Sequence, residues 1–162
     1  MADLEIPNFP MLLMEPLIAV PEASRVGFIA RLERSAADRY REWAEQSDAL
    51  REGLIACADR EDEIADRAEA LVPVRPEDEE IVETSLAQAR TLYAGAFEGH
   101  SLEDKLILQA HAERQGSLAW LGFASQTEDE AVKREFLALA DLEVASAAHI
   151  DETLGIQSTS EV

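Results

Sequence analysis

"ARLERSAADRYREWA" at residues 30–44 and "AHAERQGSLAWLGFA" at residues 110–124 are two versions of one pattern. Ala30, Glu33, Arg34, Tyr40 and Ala44 fall on Ala110, Glu113, Arg114, Trp120 and Ala124 at a constant shift of 80. A second pair, "LIACADRE" at 54–61 and "FLALADLE" at 136–143, repeats at a shift of 82. It sets Leu54, Ala56, Ala58, Asp59 and Glu61 on Phe136, Ala138, Ala140, Asp141 and Glu143. Repetition of this kind constrains topology, because each copy is expected to form the same unit. The two extra residues fall in the turn between the paired segments, where insertions cost little.

Each repeated segment has helical spacing. Val26, Ile29, Ala30, Ala36, Ala37, Tyr40 and Ala44 recur at three- and four-residue intervals and form one apolar face. The pattern predicts helices over 24–46, from a Ser47 cap to 72, and over 77–98, 102–125 and 128–154. Pro76 and the acids after it suit a helix start, Gly99 a helix end, Ser101 a cap, and Thr127 with Glu130 a capping box. No segment alternates as a strand does, so the class is all-α. Pro7, Pro10, Pro16 and Pro21 make residues 1–23 an extended, proline-rich N-terminal arm, followed by a helical bundle over 24–155 and a flexible tail over 156–162. "PMLLMEPLIAVP" is too apolar to float in water, so the arm is expected to lie on the bundle or on a partner subunit.

Charge narrows the partners. Fourteen Lys and Arg against 34 Asp and Glu give a formal charge of −20, which repels phosphate backbones and anionic headgroups. Neither nucleic acid nor membrane is expected as a partner. The start "MADLEIPNFP" lacks the basic, then apolar, pattern of a secretory signal, and the lone Cys57 suits a reducing compartment, so the expected location is cytoplasmic.

Glu33, Glu61, Glu113 and Glu143 interrupt the mainly apolar faces of the four repeated helices. If the duplication brings them to one depth, protons, arginines or metal ions have to neutralise them. On these residues the chain resembles the ferritin-like superfamily, most closely the rubrerythrin-like four-helix bundles. The resemblance covers about residues 24–155 and rests on the duplicated hairpin and on "ARLERSAADRY", "CADRE", "AHAERQ" and "LADLE". It implies a ferritin-like four-helix bundle of two duplicated hairpins joined by a crossover helix. It further implies that Glu33 and Glu113 match the lone glutamates of the first helices, and Glu61 and Glu143 those of the Glu-x-x-His pairs. Together they would hold two Fe or Mn ions that react with oxygen or peroxide.

The family pattern fails at both histidines: Ile64 stands three residues beyond Glu61, and Ser146 three beyond Glu143. His149, six residues on, points about 120° away around the helix, His111 about 160° from Glu113, and His100 lies in a turn. Asp59, Asp62, Glu63 and Asp141 are near enough to supply further oxygens, although a solvated face is their ordinary fate. Tyr40 and Trp120 lie two turns from Glu33 and Glu113, either to carry or quench a radical or as core aromatics. With no Cys-x-x-Cys pair, electrons would come from a separate donor. The alternative is a metal-free divergent bundle serving as an assembly or interaction module, including a homodimer joined through the arm. In that reading the glutamates pair with Arg31, Arg34, Arg60 or Arg114, or Ile64 fills space once given to a ligand. An iron-storage cage finds no support in the pattern.

Overall fold

Pro10 and Pro16 sit where a helix tolerates proline, in the first turns of α1 (Phe9–Leu12) and α2 (Met14–Ala19). The N–H that each lacks would have had no partner there. In the computed structural model, which describes residues 3–155, the arm is therefore largely helical, where the proline count predicted an extended chain. The tail expected over 156–162 lies outside the described residues. Asn8 caps α1, accepting from the Met11 N–H at 3.1 Å.

The arm lies on its own chain. Phe9 is 1% exposed, and its ring stacks on Tyr93 and Phe97 with centroids 5.3 and 6.2 Å away. The Phe9 N–H donates to Gln115 Oε1 at 2.8 Å, and Gln115 Nε2 donates to the Pro7 carbonyl at 3.2 Å.

Five longer helices follow: α3 (Arg25–Ala44), α4 (Arg51–Leu71), α5 (Glu79–Phe97), α6 (Leu102–Gln126) and α7 (Glu130–Leu154). The described residues contain no strand, so the all-α class holds. Ser101 caps α6 as its position predicts, accepting from the Asp104 N–H at 3.1 Å. Two caps differ. Ser47 accepts from the Leu50 N–H at 3.3 Å and so closes the turn before α4, which starts only at Arg51. Asp129, not Thr127, caps α7, accepting from Ala131 and Val132 at 2.9 and 3.1 Å, because a carboxylate meets the positive end of the helix better than a hydroxyl. Gly155, at φ 70°, closes α7 in the left-handed region that favours glycine.

Side-chain pairs set the directions. Arg34 meets Asp66 and Glu69 while Arg41 meets Asp59 and Asp62, so α3 and α4 are antiparallel. Arg114 meets Asp151, and Trp120 stacks on Phe136, which makes α6 and α7 antiparallel too. Arg60–Ser146 and Arg67–Glu135 join α4 to α7, and Arg39–Gln109 and Tyr40–Glu113 join α3 to α6. α5 packs outside α3, where Arg31 reaches Glu79 and Glu83. No helix among the described residues is long and apolar enough to cross a membrane.

The interior is divided. One apolar cluster gathers around Phe28, Ile64, Leu86, Trp120 and Phe136, and another around Phe9, Tyr40, Trp43, Leu106 and Ile150. Along α3 the change from one to the other falls between Ala30 and Ala37, along α4 between Ala58 and Ile64, along α6 between Ala112 and Trp120, and along α7 between Ala140 and Ala147. Glu33, Glu61, Glu113 and Glu143 occupy those intervals.

Removing the anchor of the arm should be costly. Phe9→Ala is expected to lower the free energy of urea unfolding by about 3 kcal/mol, as for other buried Phe truncations. Met11→Ala, at a position 63% exposed, should change it by less than about 0.5 kcal/mol.

Candidate functional site

Glu61, Glu113 and Glu143 are buried and Glu33 is half-buried, each on a different long helix. One carboxyl oxygen from each of Glu33, Glu61 and Glu143 lies within 4.8 Å of the other two. Glu113 stands beside this trio without joining it. Its Oε1 accepts from the Tyr40 hydroxyl at 2.7 Å and from Gln109 Nε2 at 2.6 Å. Trp120 Nε1 donates to Glu143 Oε1 at 2.9 Å, and the Ser146 hydroxyl donates to Glu61 Oε1 at 3.2 Å. In each case one oxygen is fixed by a protein donor. The other oxygen of Glu61, Oε2, is buried with no partner.

Burial dominates the protonation of the group. It raises the Glu33 carboxyl to about 7, helped by the neighbouring Glu113 charge. Glu61 and Glu143 are pushed well above the ordinary carboxylate range, first by burial and then by the surrounding carboxyls. The Tyr40 phenol is likewise raised by burial and by Glu113, so it remains a donor.

The arginines considered as partners go elsewhere. Arg31 pairs with Glu79 and Glu83, Arg34 with Asp66 and Glu69, Arg114 with Asp151, and Arg60 donates to Ser146 Oγ at 3.1 Å. Among the described residues no ion pair reaches any of the four glutamates. Asp59 and Asp62 meet Arg41, Glu63 meets Arg67, and Asp141 is exposed, so these acids belong to the outer surface.

Ile64 is fully buried in an apolar cluster, and Ser146 is the buried donor to Glu61. No imidazole joins the acids among the described residues. His149 lies against Gly53 beside Leu50 and Leu106, and His111 is near Arg114 and Asp151. The sequence reading missed the role of Trp120, Gln109 and Ser146 as hydrogen-bond donors. A signal existed for Trp120, since a buried indole N–H needs an acceptor, although its spacing from Glu113 on α6 points to a different acid from Glu143, the one it bonds.

A cavity of about 200 Å³ borders the group, lined by residues of α1, α2, α3, α5 and α6 and by Glu143 of α7. Leu13, Leu17, Ile29 and Leu32 form apolar walls, and Glu33, Glu113 and Glu143 line its polar side. Such an arrangement can share protons, hold a cation or receive a small molecule.

In the metal-free protein the raised carboxyls bind protons that the unfolded chain releases above about 4.5. Stability from them is full below that value and declines as pH rises through about 7, the Glu33 value. Chelator-treated protein should therefore melt at a higher temperature at pH 5.5 than at pH 8, and Glu33→Gln should flatten the part of the slope near 7. Glu79 and Glu135, held below the ordinary range by hydrogen bonds from Arg31 and Arg67, stay ionised across this window and leave the slope unchanged. His111, lowered from its ordinary 6.5 by burial and then by Arg114, acts in the opposite sense, so the comparison with Glu33→Gln isolates the carboxyl contribution.

Comparison with protein-family models, with curated proteins and with solved structures finds no match to this chain.

Proposed function

We propose that this chain is a ferritin-like four-helix bundle, built of two duplicated hairpins with α5 as the crossover. In this reading Glu33, Glu61, Glu113 and Glu143 form a carboxylate site for two divalent ions, iron or manganese. The observation that carries the reading is the convergence of Glu33, Glu61 and Glu143 from three helices, with no arginine partner and with Glu61 Oε2 left without a hydrogen bond.

The donor set fits such ions. Oxygen ligands suit Mn and Fe, and four carboxylate charges balance two divalent cations. The hydrogen bonds from Tyr40, Gln109, Trp120 and Ser146 each fix one carboxyl oxygen, the role that outer partners play around metal ligands. A bound ion pair would supply one-electron chemistry toward oxygen or peroxide. The residues of the chain position the carboxyls, exclude bulk water through the two apolar clusters, and keep the Tyr40 hydroxyl as a donor beside Glu113. Electrons would come from a separate donor in a reducing compartment such as the cytoplasm.

A second reading rests on Ile64 and Ser146. One fills apolar space and the other donates to Glu61, which satisfies part of the site without an ion. It makes the chain a metal-free bundle that serves as an assembly or interaction module, with a homodimer as one form.

Metal analysis after expression with added iron and manganese separates the two. The parent should carry close to two ions per chain, and Glu33→Gln with Glu143→Gln should lose most of that content. Chelation should lower the melting temperature of the parent and leave the double variant unchanged. A parent without stoichiometric metal, and with a melting temperature indifferent to chelator, selects the metal-free bundle.

A further inference from the structure

The cavity beside the acids has more space than ion binding needs. Its volume, about 200 Å³, exceeds the roughly 150 Å³ of an apolar cavity that admits benzene. Phe9 and Tyr93 supply aromatic surface to the wall, and Leu13, Leu17 and Ile29 supply aliphatic surface. Aromatic walls favour an aromatic guest.

Two polar groups face the cavity with hydrogen-bonding capacity left over. Glu33 is the one glutamate of the four that receives no hydrogen bond from a hydroxyl, amide or indole among the described residues; its partners are the Glu61 and Glu143 carboxyls, and it is half-buried. Arg39 borders the same cavity, with Nη2 held by Gln109 Oε1 at 3.2 Å and its guanidinium 5.0 Å from the Tyr93 ring centre, yet its buried Nε–H has no acceptor. A hydroxyl answers both needs, since it donates to a carboxyl and accepts from an N–H. An anion would meet three glutamates at close range and the formal −20 of the chain at long range.

Space in front of Glu143 is also kept open. A Cβ added at Gly116 would lie 3.5 Å from Glu143 Oε1, an ordinary contact, so the backbone leaves room there that alanine could fill. Glycine within a helix carries a propensity cost.

We propose that this cavity is a binding site for an uncharged single-ring molecule bearing a hydroxyl, of the phenol class, with the ring against Leu13, Leu17, Ile29 and Tyr93 and the hydroxyl toward Glu33. The site shares its acids with the proposed metal centre but does not rest on bound metal.

Phenol is the probe, titrated into chelator-treated protein and followed by methyl NMR, with toluene and benzoate in parallel. Saturable one-to-one shifts should appear at the Leu13, Leu17 and Ile29 methyls, with toluene about tenfold weaker for want of the hydroxyl bond. Benzoate should not saturate. Ala36→Leu, which fills the cavity from α3, should weaken phenol by about tenfold or more. Gly116→Ala should weaken it less without lowering the melting temperature, so a folded cavity-filling variant is available even if Ala36→Leu unfolds. Shifts absent from these methyls, or unaltered affinity in Gly116→Ala, would overturn the site. Toluene binding as tightly as phenol would remove the hydroxyl from the proposal, and tighter benzoate would replace it with an anion on Arg39. Phenol binding by a protein that never takes up metal would overturn the metal centre alone.

Discussion

Carboxyl groups taken out of water are the constraint on which this structure turns. An ionised carboxylate in a protein interior costs several kcal/mol even after relaxation, so each buried acid requires an answer from its surroundings. The chain spends its arginines on the outside, where Arg31, Arg34, Arg41 and Arg67 cross-link neighbouring helices through surface acids. The buried acids are left to neutral donors and to one another. Tyr40 and Gln109 serve Glu113, Trp120 serves Glu143, and Ser146 serves Glu61. A group solved this way is sensitive to protons and receptive to cations, because no ion pair among the described residues has settled it.

The same acids shape the hydrocarbon around them. They fall at one level on four helices and separate the apolar interior into two clusters, so neither end of the molecule packs continuously into the other. Tyr40 and Trp120, the related aromatics of the two repeats, sit in different clusters and reach the acids from opposite ends. The repeat is not carried through to the hydrogen bonds. Tyr40 crosses from α3 to Glu113 on α6, whereas Trp120 bonds Glu143 within its own helical pair. Where the two halves differ, one side borders a cavity with the arm as its cover.

The order and approximate limits of the five long helices were legible because the 3.6-residue period is local and strong there. The four glutamates were legible because they break that period at matching places in a repeat. Their neighbours were harder to read. Ser146 looks like the loss of a ligand in sequence and acts as a donor in space, and Gln109 lies one turn before Glu113 with nothing to mark it. The arm misled because proline was counted as a breaker, although Pro10 and Pro16 stand where a first turn has no bond to lose. Asp129 competed with Thr127 for one cap, and charge decided it. The cavity could not be read at all, since its walls come from segments a hundred residues apart whose spacing depends on how the arm docks.

The arm also carries a consequence for the order of events during synthesis. Its docking partners, Tyr93, Phe97 and Gln115, are far along the chain, the last of them 106 residues beyond Phe9. Phe9 thus leaves the ribosome well before anything exists for it to pack against, and α3 with α4 can pair in the meantime through contacts that are close in sequence. A segment made before its partners is among the last to find its place, and the cavity it covers comes into being only at that final step.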